Sequence, residues 1–181
     1  MGLKVIWVIA LSLLLSANVS RADVQLPALV GSGMVLQRDA KIQIWGWADP
    51  REEVRIDFQG QYVRVRADRN GRWSTSLGPY PAGGPYDMTV AGKNRLTLKD
   101  ILIGDVWLAS GQSNMEWPIK GVRRGIDNAD VEIAGAHFPQ IRLFRAEQKT
   151  SPKPESRTNS NGWHAVTPDR VADFSAVAYL F

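Results

Sequence analysis

Cysteine is absent from all 181 residues, so disulfides and thiolate metal sites are unavailable and stability must come from burial alone. An oxidising compartment is not excluded by that absence. Histidine is almost absent: His137 and His164 are the only two, too far apart for a local metal motif such as H-E-x-x-H. There is no concentrated basic stripe of the kind that marks a nucleic-acid binder. The basic residues are scattered, and Lys120, Arg123 and Arg124, the nearest approach to a cluster, suit a solvated face. No internal repeat is evident. No apolar run approaches the ~20 residues needed to cross a bilayer.

The longest apolar run, Val5 to Leu15, is interrupted only by Ser12. Lys4 precedes it, and Ser20-Arg21-Ala22 puts small residues at the −3 and −1 positions of a cleavage site before Asp23. This three-part pattern predicts a secretory signal peptide over residues 1–22, export to the periplasm or medium, and no stable membrane insertion after cleavage. The whole chain has 22 basic and 18 acidic residues, a formal net charge of +4. Lys4 and Arg21 leave with the signal, so the remainder carries 20 against 18. Hydrophobic residues at 44% and charged residues at 22% are the balance of a globular protein.

From Asp23 to about residue 103 the hydrophobic period is two. Val54, Ile56 and Phe58 alternate with Arg55, Asp57 and Gln59, and Val63, Val65 and Ala67 alternate with Arg64, Arg66 and Asp68. Trp73, Thr75 and Leu77 continue the pattern, as do Tyr86, Met88 and Val90. Such alternation places apolar side chains on one face of a half-buried strand. Gln59-Gly60, Asn70-Gly71 and the Pro81-to-Pro85 stretch supply turns between them. Short strands at this spacing predict an all-β sandwich domain over residues 23–103.

The pattern changes after Leu102. Asp105 to Ala109 reads as a short buried strand leading into Ser110-Gly111-Gln112-Ser113-Asn114. Asn128 to Gly135 predicts a short helix with Asp127 or Asn128 as cap. Ile141 to Phe144 predicts a second buried strand, and polar residues 147–162 with Pro152 and Pro154 predict a surface loop. Strand, helix, strand suggests the opening of a parallel α/β sheet. Phe174, Val177, Ala178 and Phe181 form an i, i+3, i+4, i+7 stripe on a final helix capped by Asp173. With no further strand to bury that stripe, residues 104–181 are expected to be the front part of a truncated domain.

Ser113 is the candidate nucleophile. A serine at the C-terminal end of a buried strand can present its hydroxyl outward beside backbone N–H groups that face a developing oxyanion. Activation also requires a base within hydrogen-bond reach. The competing reading is that Ser113 or Asn114 merely caps a helix. The α/β-hydrolase elbow G-x-S-x-G does not fit, because Met115 occupies the place of its second glycine.

The block Gly104-Asp105-Val106-Trp107-Leu108-Ala109-Ser110-Gly111-Gln112-Ser113-Asn114-Met115-Glu116-Trp117-Pro118 closely resembles the first block of the sialate O-acetylesterase family, a branch of the SGNH hydrolases. Met34 to Arg38 and Ile44 to Ala48 resemble that family's β-rich amino-terminal region. Ile141 to Phe144 and Phe174 to Tyr179 are similar to its next segments. The resemblance implies a flavodoxin-like hydrolase domain behind the sandwich. It also implies Ser113 attack on O-acetyl esters of sugars, an acetylated carbohydrate as partner, and no metal or organic cofactor. It further implies an oxyanion hole completed by a later glycine and asparagine, and a carboxy-terminal Asp-x-x-His pair. None of those later blocks has a match here, and neither histidine stands where the family carries its catalytic one.

Gln112, Asn114 and Trp117 are the candidate substrate contacts. Most of the other tryptophans suit core packing. The rival reading is a non-enzymatic carbohydrate-binding sandwich followed by a vestigial hydrolase segment.

Overall fold

The computed structural model describes residues 23–181, so the expected signal segment lies outside the described residues. Strands predominate and helices are few and short. The first seven strands are β1 (Val35–Gln37), β2 (Ile42–Trp47), β3 (Glu53–Phe58), β4 (Gln61–Arg66), β5 (Arg72–Leu77), β6 (Gly83–Ala91) and β7 (Arg95–Gly104). Five of them form one sheet in the order β1-β7-β6-β3-β4, and β2 and β5 form an antiparallel ribbon. The β1–β7 pair is parallel and the other pairs in the five-stranded sheet are antiparallel.

The alternation expected from the sequence is what closes this region. Val54, Ile56 and Phe58 on β3, Met88 and Val90 on β6, Ile44 on β2 and Leu77 on β5 are all buried in one shared cluster. Gln59 and Gly60 both take positive φ, 49° and 74°, which matches the twist of the two-residue β3–β4 hairpin. At the next turn the Asp68 carboxylate accepts from the N–H groups of Asn70 and Arg72 at 2.7 and 2.9 Å. The Pro81-to-Pro85 stretch is only partly a turn, because β6 begins at Gly83 and is bulged before Tyr86.

Beyond residue 104 the structure departs from expectation. Residues 105–112 form no strand, and Trp107 and Leu108 are 72% and 92% exposed. An apolar tetrapeptide becomes a strand only when neighbours take up its backbone hydrogen bonds, and no described segment pairs with this one. A short 3₁₀ turn, Ser113–Glu116, follows, then helix α1 (Ala129–Gly135). Asn128 sits at the α1 cap position, although its side chain makes no capping bond.

Strand β8 (Phe138–Phe144) contains the expected Ile141-to-Phe144 run, but Leu143 alone is buried there and Ile141 is half exposed. Its partner is β9 (Trp163–Val166), and the pair is antiparallel. The expected parallel α/β opening is therefore not seen among the described residues. Strand β9 and helix α2 (Pro168–Val171) escaped the sequence reading. The last helix, α3 (Ala176–Leu180), is capped by Ser175, whose hydroxyl accepts from the Ala178 N–H at 3.3 Å, and not by Asp173. Starting at residue 176, it buries Ala176 and leaves Val177 and Phe181 exposed, so the expected stripe is not its packed face. Ile119, Ala136, Leu143, Val166, Val171 and Ala176 form a second, smaller core.

The two cores meet along a seam. Trp163 packs against the first core and donates its indole N–H to the Leu29 carbonyl at 3.0 Å. Arg157 lies 3.9 Å over the Trp47 ring and donates to Gln25 at 3.0 Å, tying the polar 147–162 loop to the β-rich region. Among the described residues no helix is long and apolar enough to cross a membrane.

Candidate active site

Ser113 opens the 3₁₀ turn and is exposed, as are Gln112 and Asn114 on either side. The turn closes locally: the Gln112 carbonyl accepts from the Met115 N–H at 2.8 Å, and the Asn114 carbonyl accepts from the Trp117 N–H at 3.2 Å. A Cβ at Gly111 would stand 2.7 Å from the Met115 Cγ, so a side chain there would force the Met115 side chain to shift. The need for glycine before Gln112 is thus one of local packing.

The chain downstream of the serine is held firmly. The Trp117 carbonyl accepts from the Ala176 N–H at 2.8 Å, and Ile119 and Lys120 donate to the carbonyls of Phe174 and Ala172 at 3.2 and 2.8 Å. Glu116 accepts from the Gln148 amide at 2.6 Å. The turn is therefore strapped to the α2–α3 connection and to the long loop.

Trp117 is 39% exposed and already occupied on two sides. Its indole N–H donates to the Gly125 carbonyl at 3.0 Å, and the Arg124 guanidinium lies 6.0 Å from its ring centre. Beside it is an open cleft of about 440 Å³ bounded by Glu116, Pro118, Val122, Arg124, Arg145 and Asp173. Arg145 donates to the Asp173 carbonyl at 3.0 Å. Of these cleft residues, only Glu116 and Pro118 belong to the Gly104-to-Pro118 block. Arg145 and Asp173 reach the cleft through tertiary packing, which no local pattern announces.

Among the described residues the Ser113 hydroxyl makes no hydrogen bond, so no base and no orienting group meets it. His137 is exposed just beyond α1. His164 lies on β9 opposite Leu143, lining a different cleft, and its Nε2 is buried without a partner. No three His, Asp or Glu side chains among the described residues converge as metal ligands.

A carbohydrate acetylesterase from Xanthomonas citri has a similar solved structure, with a TM-score of 0.80 and 38% identity over 86% of this chain and 35% of that one. Over that span the chain shares the fold of about a third of that protein. The sialate O-acetylesterases of Homo sapiens and Mus musculus are 34% and 31% identical over 84% and 76% of this chain. The chain belongs to the sialate O-acetylesterase family. It spans 32% of the human and 28% of the mouse protein, about a third of the curated relatives it matches. No protein-family model matches it.

Proposed function

We propose that this chain carries the nucleophile-bearing portion of a carbohydrate O-acetylesterase of the SGNH type. The observation that carries the reading is Ser113 at the head of a strapped, exposed turn beside an open cleft, in a chain related to named acetylesterases. In this proposal residues 23–103 are an all-β sandwich and residues 104–181 the front of the hydrolase domain. Ser113 Oγ attacks the acetyl carbonyl, a base takes its proton, and the sugar hydroxyl leaves with a proton. Water then hydrolyses the acetyl-serine, releasing acetate. No cofactor is needed for this acyl transfer. Gln112, Asn114 and Trp117 are proposed to face the sugar, with residues 1–22 acting as an export signal.

The unpartnered Ser113 hydroxyl gives the reading a definite consequence. Without a base, the 181-residue chain alone is expected to lack serine-dependent turnover of aryl acetate or O-acetyl sialic acid. Loss of a triad serine or histidine costs on the order of 10⁶ in turnover. Each missing oxyanion donor costs a further ~10²–10³. Fusing the chain to the remaining sequence of the Xanthomonas relative should restore hydrolysis and fluorophosphonate labelling of Ser113, and Ser113→Ala should abolish both. Robust hydrolysis by the unfused chain, lost on Ser113→Ala, would overturn the claim that no base among the described residues serves Ser113. Silence of the fusion would favour the non-enzymatic carbohydrate-binding reading, for which the bare serine is the specific support.

A further inference from the structure

A second cleft, of about 390 Å³, lies on the seam between the two cores, away from Ser113. Its volume falls within the ~300–1,000 Å³ range of small-molecule sites. One wall comes from β7, through Lys99 and Asp100. The other comes from Arg142 on β8, Trp163 and His164 on β9, and Arg170 on α2.

The charges are unequal. Arg142 is 7% exposed and donates to both Asp100 oxygens, at 2.6 and 3.0 Å, and through Nε to the Pro139 carbonyl at 3.0 Å. These bonds use three of its five N–H groups, leaving one hydrogen on each terminal nitrogen. Arg170 is paired with the exposed Asp169 at 3.4 Å. The Lys99 ammonium has no partner among the described residues. Three cations against two carboxylates leave one positive charge in excess at the cleft. The buried, unpartnered His164 Nε2 adds a polar atom that the fold itself does not satisfy, and such atoms call for an explanation.

We propose that this cleft is a subsite for a sugar residue bearing one negative charge, its carboxylate held by Lys99 and Arg170 and its hydroxyls by Arg142 and Asp100. The saccharide part rests on the carbohydrate-esterase reading; the anion part rests on the cleft alone.

The test is calorimetric titration of the full chain with glucuronate, glucose and inorganic sulfate at low ionic strength, which needs no turnover. Saturable glucuronate binding is expected, with glucose at least about tenfold weaker. Lys99→Ala and Arg170→Ala should each weaken glucuronate about tenfold, the worth of one charge-assisted hydrogen bond, without lowering the melting temperature. Equal binding of glucose and glucuronate, absence of saturation, or folded variants that bind like the parent would overturn the proposal. Sulfate binding as tightly as glucuronate would overturn its saccharide part. Ser113→Ala should leave the isotherm unchanged, so loss of the esterase reading and loss of this site are separately visible.

Discussion

Arg142 on β8 and Asp100 on β7 are joined by two hydrogen bonds, at 2.6 and 3.0 Å, across the seam between the two cores. Arg142 is almost wholly enclosed, while Asp100 is 55% exposed and takes a positive φ of 59°. The bonds from Arg142 hold the Asp100 carboxyl below its usual range, partly opposed by burial.

A depressed carboxyl contributes stability that is fully present above its unfolded value, about 3.9, and is lost as pH falls through the folded value. Asp100→Asn should therefore lower stability at neutral pH by about 1–2 kcal/mol, less than the ~3–5 kcal/mol of a fully buried pair because Asp100 is solvated. The gap from the parent should shrink as pH is lowered through the acid range. Thermal melts of both proteins at neutral and acid pH measure this. A gap that persists unchanged to about pH 2 would show that charge is not its source.

Ile56 and Tyr62 lie on adjacent strands with opposite exposure, fully buried and 52% exposed. Ile56→Ala should cost ~2–5 kcal/mol by leaving a cavity. Tyr62→Ala should stay near ~0.5 kcal/mol, as surface changes do. Urea unfolding of the two variants checks the facing of β3 and β4.

Gly60 and Gly71 share nearly the same φ, 74° and 75°, but not the same surroundings. A Cβ on Gly60 meets open space, whereas one on Gly71 collides with the Ala48 carbonyl. Gly60→Ala should cost about 1 kcal/mol for its left-handed backbone. Gly71→Ala should cost at least ~1 kcal/mol more, since the clash also strains the Ala48–Gly71 hydrogen bond at 2.9 Å. Equal melting temperatures would contradict the close approach at residue 48.

Export is checked by mass. Protein recovered from the periplasm or medium is expected to begin at Asp23, immediately after Ser20-Arg21-Ala22. Met1 retained on an exported product would rule out cleavage there.

The β-rich region was legible because each strand has one wet face, so residues such as Val54, Ile56 and Phe58 carry the period in plain view. The segment after Gly104 was less so. Val106, Trp107 and Leu108 have the composition of a buried strand, yet composition records only what a segment is suited to, and pairing needs neighbours. Ile141 and Leu143 both read as buried; only Leu143 finds a core to enter. Ser113 was visible through its block, whereas Arg145, Gln148 and Asp173 gather around Glu116, at the far end of its turn, from distant stretches. Asp100 and Arg142 are 42 residues apart, and nothing local in either marks the bond between them.

The parallel pairing of β1 with β7 fixes when the large sheet can form. Val35 pairs with Leu102 and Gln37 with Gly104, while β2 to β6 make up the loop between them. During synthesis the β3–β4 hairpin can form as soon as both strands are exposed, but β1 must wait, edge unpaired, until residue 104 has emerged. Closing so long a loop is charged to the folding barrier before its contacts form, which places such topologies among the slower folders, on the ms–s scale. An unpaired strand edge left waiting for that interval is open to pairing with another chain. Folding yield should therefore depend on concentration more steeply than the stability of the finished fold would suggest.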